Sequence, residues 1–343
     1  MLESSISKCE KNPWTRARRW FCFLMLFLIL GTLVLIFYSS SQVLLPLRTS
    51  SRSSQSYDNV TASSGSISPD YFVAYPHQYH FILDEPKRCR EESPFLVVMI
   101  PVAPDNREAR DAIRNTWGKE TKVLGQVVSH YFLLGRSKEP LKEQVLQESQ
   151  EHHDVLQSDF LDSYNNLTIK TMVMFEWLSS HCPNSAYGMK VDADVFLNVR
   201  NLIDMLVTAP RRLYMTGRVT KGARVLRDPN SKWFLPVSAF PESRYPPYAM
   251  GLGYVFSLDL PEKILEASAH VKALYIEDVY VGLCMRHLGV TLTDPPRWGL
   301  FKASVSYFIS SCYWTSVITA ILPNSDQLLH VWRSYQIHAH TDC

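Results

Sequence analysis

Three hydrophobic patterns follow one another along the chain. Trp20 to Tyr38 is a run of 19 residues without a charge. As a helix rising about 1.5 Å per residue it reaches roughly the 30 Å of a bilayer's hydrocarbon core. Residues 39 to 70 hold twelve serines and almost no apolar periodicity, so they cannot bury enough surface to offset the entropy of ordering them, and they read as a flexible stalk. From Pro94 onward short apolar runs alternate with helical stretches. Phe95 to Val102 predicts a strand and Asn106 to Gly118 a helix; Val127 to Leu134 predicts a second strand, followed by a charged helix near Glu139 to His152. Val155 to Phe160 then leads to a helix from about Thr168 to His181, with Met172, Phe175 and Leu178 along one side, and Tyr187 to Val191 predicts a fourth strand. Short apolar strands alternating with helices predict a mostly parallel central sheet flanked by helices on both faces, an α/β fold. Ligands of such sheets sit beyond the carboxyl ends of the strands, which directs attention to the loops after Val102 and Val191. Val305 to Leu322 also lacks charge, but six of its 18 residues are Ser or Thr, and it reads as core rather than a second membrane span.

Charge gives the first pattern a direction. The first 19 residues hold Lys8, Lys11, Arg16, Arg18 and Arg19 against Glu3 and Glu10, so a basic flank precedes the apolar run. The expectation is a cytosolic tail (1–19), an uncleaved signal anchor (20–38), a Ser-rich stem (39–90) and a catalytic domain (91–343) on the far side of the membrane. A cleaved signal peptide is the rival reading, and the apolar run exceeds the usual h-region. The whole chain carries a formal net charge of +2, which gives no footprint for nucleic-acid binding. With the tail removed, the remainder is close to neutral, so any strongly negative ligand has to be met by a few locally placed groups. Cys89, Cys182, Cys284, Cys312 and Cys343 lie beyond the anchor. An oxidising compartment then allows at most two bridges and leaves one thiol, in a pairing that the spacings do not fix. Asn59 and Asn166 begin sequons and are candidate glycan acceptors.

The sharpest chemical feature is Lys190-Val-Asp192-Ala-Asp194 at the end of the fourth strand. Two carboxylates where a strand turns into a loop suit a hard divalent cation that also takes phosphate oxygens; a solvated turn is the bland alternative. Arg107, Arg110 and Arg114 form a basic stripe on the first helix. They either grip a diphosphate bidentately or form a solvated face with Glu108 and Asp111. Glu277 and Asp278 open a helix that continues to Leu288. The helix dipole should depress a carboxylate pKa there and burial should raise it. Gly251-Leu-Gly253 lacks the third glycine of a dinucleotide fingerprint, and P-loop and nucleophile-elbow motifs are absent.

Together these motifs resemble the Golgi β-1,3-galactosyltransferases and the wider β-1,3-glycosyltransferase group over roughly residues 89 to 343. The resemblance rests on Arg110-Asp-Ala-Ile-Arg114-Asn-Thr-Trp117-Gly118, Phe132-Leu-Leu-Gly135, Asp159 to Thr171, Lys190 to Asp194, Tyr245-Pro-Pro-Tyr248 through Tyr254, and Glu277-Asp278-Val-Tyr280-Val-Gly282. It implies a GT-A-type nucleotide-sugar transferase fold and inverting transfer from a UDP-sugar, with Mn²⁺ as cofactor. By the same resemblance Asp194 ligates the metal and Asp192 contacts the metal or the ribose. Asp278 is then the base, and Arg110, Arg114, Lys190, Asp192 and Ala193 lie on the donor side. Trp233, Tyr245, Tyr248, Gly253 and Glu277 lie on the acceptor side. The expected partners are UDP-galactose, an N-acetylglucosamine-terminated glycan and the Golgi membrane. Transfer of N-acetylglucosamine to galactose and a catalytically silent glycan-binding protein are the alternatives. The sequence departs from its relatives at Ala320-Ile321-Leu322, where they tend to be more polar, and at the apolar Trp298-Gly-Leu-Phe301.

Overall fold

The computed structural model describes residues 79–305, 312–324 and 326–339, all within a unit running from Gly65 to Cys343. The expected anchor at 20–38, the serine stretch and Asn59 lie outside the described residues. No helix among the described residues is long and apolar enough to cross a membrane.

The chain runs β1 (Phe81–Leu83), α1 (Arg88–Glu92), β2 (Leu96–Pro101), α2 (Arg107–Arg114), β3 (Lys122–Val123), β4 (Gln126–Arg136), α3 (Leu141–His152), β5 (Val155–Leu161) and α4 (Leu167–His181). It continues with β6 (Tyr187–Val191), β7 (Val195–Leu197), α5 (Val199–Leu206), β8 (Met215–Thr220), β9 (Tyr248–Ser257), α6 (Leu260–Ser268) and α7 (Glu277–His287). Last come β10 (Phe301–Lys302), α8 (Tyr313–Ser316), β11 (Thr319–Ile321) and α9 (Asp326–His338). The predicted strands and helices between residues 95 and 191 all form, with ends shifted by a few residues.

The main sheet has the order β1-β5-β4-β2-β6-β9-β8. Its four middle strands, β5, β4, β2 and β6, are parallel, while β1, β9 and β8 join antiparallel. The sheet is therefore mixed, where the sequence pattern predicts a mostly parallel one. The difference arises because β9 follows β8 by a long connection with no helix in it and returns along β6, so nothing there needs a right-handed crossover. A small sheet, β10-β11-β7, stands beside it.

Alternation along β2 explains the two-sided burial. Val97 and Met99 point into a core with α4, α6 and α7, whereas Leu96, Val98 and Ile100 point into one with α2, α5 and α9. In α4, Thr168 to Phe175, Trp177 and Leu178 are all buried, not only the stripe of Met172, Phe175 and Leu178. A helix buried on nearly every side must be enclosed by the rest of the fold, and α4 packs against the sheet, α6 and α7, with its buried Thr168 and Lys170 hydrogen-bonded. A disulfide from Cys89 to Cys182 ties α1 to the end of α4. Cys312 is also disulfide-bonded and Cys284 is a free, buried thiol. Trp314, Val317, Ile318, Ala320 and Leu322 are all buried in the second core, so the described end of the uncharged 305–322 run is core, as its Ser and Thr content implies.

Candidate active site

Three strand ends and one helix start converge. Asp192 and Asp194 follow β6 directly, and β11 runs antiparallel to β7, with Leu322 N–H donating to the Asp194 carbonyl at 2.8 Å. This pins the turn that carries both carboxylates. β9 pairs with β6, Lys190 opposite Tyr254 and Val191 opposite Gly253, and the Lys190 side chain reaches along β9 to the Gly251 carbonyl. α7 begins at Glu277 and packs on β9 so closely that a Cβ on Gly282 would stand 2.7 Å from Tyr248 Cβ. The result is a cleft of about 460 Å³ that gathers Asp192, Asp194, Trp233, Tyr245, Tyr248, Glu277 and Asp278. Seven of the residues expected from the sequence thus meet in one place. Asp194 also borders a neighbouring cleft of about 330 Å³, with Ala193, Val102, Ala103, Asn106 and Asn324, at the carboxyl end of β2. Both loops singled out by the strand pattern therefore line a cavity.

The electrostatics are concentrated around one lysine. Lys190 is 5% exposed; its Nζ donates to Asp192 Oδ1 at 2.5 Å and to the Gly251 carbonyl, and lies 3.6 Å from Glu277 Oε2. Burial opposes its charge, but Asp192 and Glu277 hold its pKa above the ordinary lysine value. Lys190, expected on the donor side, thus serves as counter-ion to Asp192 and Glu277 in this structure. Glu277 Oε1 accepts from the Tyr254 hydroxyl at 2.6 Å. Burial pushes Glu277 up to about 7, with Lys190 pulling the other way. Asp278 is held by the Gly251 N–H at 3.0 Å and the Val279 N–H at 2.8 Å. Its pKa is nevertheless raised by desolvation, so burial outweighs the helix N-terminus and leaves a carboxylate more basic than a solvated one. Glycine at 251 leaves room for this: a Cβ there would crowd Glu277 Oε2 at 3.1 Å and stand 3.7 Å from Asp278 Oδ2. Asp194 is raised by desolvation and by the charge of Asp192. Two carboxylates that repel each other beside an open cleft form a site whose excess negative charge a divalent cation would relieve, with phosphate oxygens completing its shell. Among the described residues no group of three or more His, Cys, Asp or Glu gathers for a metal.

Other expectations are corrected. Arg110 is 1% exposed and grips Glu148 bidentately, Nε to Oε1 and Nη2 to Oε2 both at 2.7 Å, while donating to the Ala103 and Pro104 carbonyls. Arg114 pairs with Asp154 at 2.7 Å, Glu148 at 2.8 Å and Asp111 at 2.8 Å. Both guanidiniums are spent on buried carboxylates and belong to neither cleft. Arg110 holds the loop after β2 in place through the Ala103 and Pro104 carbonyls, as does Lys170, whose Nζ donates to the Val102 carbonyl and to Asp162. Gly253, expected on the acceptor side, lies inside the sheet, where a Cβ would press on Met189, Thr319 and Val191, and does not line the cleft. Asn166 caps the start of α4, donates its amide to the Leu161 carbonyl, and has its sequon partner Thr168 buried and bonded to the Leu274 carbonyl. Sequence reasoning missed Lys232 and Arg224. Both line the reaction cleft, and Lys232 Nζ lies 4.5 Å from the Trp233 ring centroid.

A Galactosyltransferase family model matches residues 108–296, just over half of the chain. The chain is 39% identical over 295 residues to Beta-1,3-galactosyltransferase 2 of Homo sapiens, which covers 83% of this chain and 69% of that one. It is 40% identical over 272 residues to Beta-1,3-galactosyltransferase 1 of Mus musculus, covering 78% and 82%. The chain belongs to the galactosyltransferase family. Among solved structures, a glycosyltransferase involved in the glycosylation of the major capsid of PBCV-1 aligns with 70% of this chain and all of that one, at 10% identity and a TM-score of 0.38. The family match spans β6, β9 and the start of α7, so it includes Asp192, Asp194, Glu277 and Asp278. Ile321, on β11, lies beyond it and presents an apolar wall to the same cleft.

Proposed function

We propose that this galactosyltransferase-family chain moves galactose from UDP-galactose to the 3-hydroxyl of a terminal N-acetylglucosamine, with inversion to a β-1,3 linkage. The observation that carries the reading is the desolvated Asp278, held by two backbone N–H groups, in one cleft with Asp192 and Asp194. The names of the relatives support galactose as the sugar transferred. The neighbouring cleft at the end of β2 suits the uridine, and Asp194, shared by both clefts, suits the junction where the diphosphate lies. Asp192 and Asp194 would hold Mn²⁺; when bound, the cation offsets charge on the departing diphosphate. Lys232 and Arg224 add positive charge on the cleft wall, the task that the buried Arg110 and Arg114 do not perform. Trp233, Tyr245 and Tyr248 offer aromatic faces to the acceptor sugar. Asp278 accepts the proton of the 3-hydroxyl as its oxygen attacks C1 of the galactose, the C1–oxygen bond to UDP breaks, and UDP leaves with that electron pair.

The cellular setting is a Golgi membrane, with the chain anchored once and its catalytic domain luminal. The basic flank before the apolar run supports that orientation, and the Cys89–Cys182 bridge suits an oxidising lumen.

The test is release of UDP from UDP-galactose with an acceptor ending in N-acetylglucosamine. Turnover should vanish with EDTA and return with Mn²⁺, and Asp278→Asn should lower kcat by about 10²-fold or more with UDP affinity kept. Full activity in Asp278→Asn, or in Asp194→Ala, would overturn the residue assignments.

A further inference from the structure

Away from the reaction cleft, a hollow of about 340 Å³ opens along the outer edge of β8, with Arg218, Thr220, Asp294 and Trp298 in its wall. Its volume is that of a small-molecule site. β8 ends the sheet order, and the segment after α7 covers only its start. Thr293 N–H donates to the Met215 carbonyl at 2.9 Å; the chain then swings out through Asp294 and turns back at Gly299, φ 88°, into β10. The hollow lies between that detour and the strand. Trp298 stands on the detour with 92% of its surface in water, and Lys302 Nζ lies 5.0 Å from its ring centroid. A large indole left in water is unfavourable for the chain alone. Trp117, Trp177, Trp314 and Trp332 are buried, and Trp233, on the reaction cleft, is about half exposed, so Trp298 is the most exposed of the described tryptophans.

The hollow and the reaction cleft touch through one residue pair. Thr220 lines the hollow and is the register partner of Tyr248, which lines the reaction cleft. A ligand seated at Tyr248 and extending outward over β8 therefore arrives under Trp298.

We propose that this hollow is a second sugar subsite, which takes a residue of the acceptor glycan remote from the reacting one. The inference rests on the function proposed above and extends it from the terminal sugar to the glycan behind it. A pyranose presents one apolar face of C–H groups and a rim of hydroxyls. Trp298 supplies the matching aromatic face, while Thr220, Arg218 and Asp294 supply donors and acceptors at the rim. Asp294 is positioned by Lys221, 2.6 Å away. The subsite makes the enzyme read more of its acceptor than the terminal residue.

The full-length chain is assayed with two acceptors, a simple N-acetylglucosamine glycoside and an oligosaccharide that ends in the same sugar. Trp298→Ala should raise KM about tenfold for the oligosaccharide only, leaving the glycoside's KM and kcat unchanged, and Trp298→Phe should recover part of the loss. Equal effects on both acceptors, or none on either, would overturn the subsite. Saturation-transfer NMR with the oligosaccharide stem, its terminal N-acetylglucosamine removed, gives an independent readout. Transfer to the stem in the wild-type chain that disappears in Trp298→Ala supports the subsite; no transfer, or transfer unchanged by the substitution, overturns it. If the wild-type chain releases no UDP with either acceptor, the proposed activity fails, and the stem measurement still decides the subsite.

Discussion

Removing Arg110 should cost the fold far more than it costs donor binding. Glu148, 1% exposed like Arg110 itself, accepts two 2.7 Å bonds from the guanidinium, whose other hydrogens hold the Ala103 and Pro104 carbonyls. Arg110→Met leaves that carboxylate in low dielectric with two of its three guanidinium contacts gone. Breaking a buried pair costs about 3–5 kcal/mol. Because Arg114 Nη2 remains 2.8 Å from Glu148, the expected loss is at the lower end, about 3 kcal/mol, or roughly 6–12 °C in Tm for a domain of this size. Arg110→Met combined with Glu148→Leu removes both charges. Replacing a buried pair by apolar groups is often neutral, so the double variant should regain at least half of the lost Tm. Thermal unfolding followed by circular dichroism gives the first readout and initial rates against UDP-galactose the second. KM for the donor should rise only a fewfold in both variants below their melting temperatures, because Arg110 reaches the proposed uridine cleft only through the Ala103 and Pro104 carbonyls of its loop. A double variant that melts like wild type, yet shows a tenfold higher donor KM, would refute the reasoning and return Arg110 to the donor site.

The pair of Arg114 and Asp154 makes an acid-side prediction. Burial opposes the Asp154 charge, but the bonds from Arg114 hold its pKa at about 2. A carboxylate depressed on folding stabilises above its unfolded value, near 3.8, and that contribution is lost as pH falls to about 2. It amounts to about 2 kcal/mol. The Tm gap between wild type and Asp154→Asn should therefore narrow between pH 4 and pH 2, and a constant gap would count against it. Lys232→Gln should weaken binding of UDP more than that of uridine in calorimetry, with Lys232→Arg intermediate; equal losses for the two would show that the lysine only supports Trp233. Gly282→Ala places a Cβ 2.7 Å from Tyr248 Cβ and 2.8 Å from the Pro247 carbonyl. The strand must shift, at a cost of about 1–3 kcal/mol, and acceptor KM should rise while donor KM holds. An unchanged acceptor KM would disconnect Tyr248 from the acceptor.

What could be read from the sequence divides along a physical line. Hydrophobic period is local, so β2, β4, β5 and β6 and the helices between them were legible, as was the strand end that carries Asp192 and Asp194. Partner choice across the chain is not local. Arg110 and Arg114 look like a free basic stripe until Glu148 and Asp154, some 40 residues away, fold against them. Lys190 looks like a cleft cation until Gly251 and Glu277 close over it. β9 carries no alternating signal strong enough to name, because its Gly251 and Gly253 leave out side chains where α7 and β11 approach. These concealed pairings change how the site manages charge. Each basic residue of the recognised motifs is paired with a carboxylate, Arg110 and Arg114 with Glu148 and Asp154 of the scaffold, Lys170 with Asp162 and Lys190 with Asp192 and Glu277 of the cleft. The positive charge at the cleft falls instead to Lys232 and Arg224, in the connection between β8 and β9. That connection also carries Trp233 and Tyr245, so the segment that offers charge to the donor also offers aromatic faces to the acceptor. Substitutions in it should alter both Michaelis constants together, whereas substitutions at Trp298, beyond the other edge of β8, should alter the acceptor's alone.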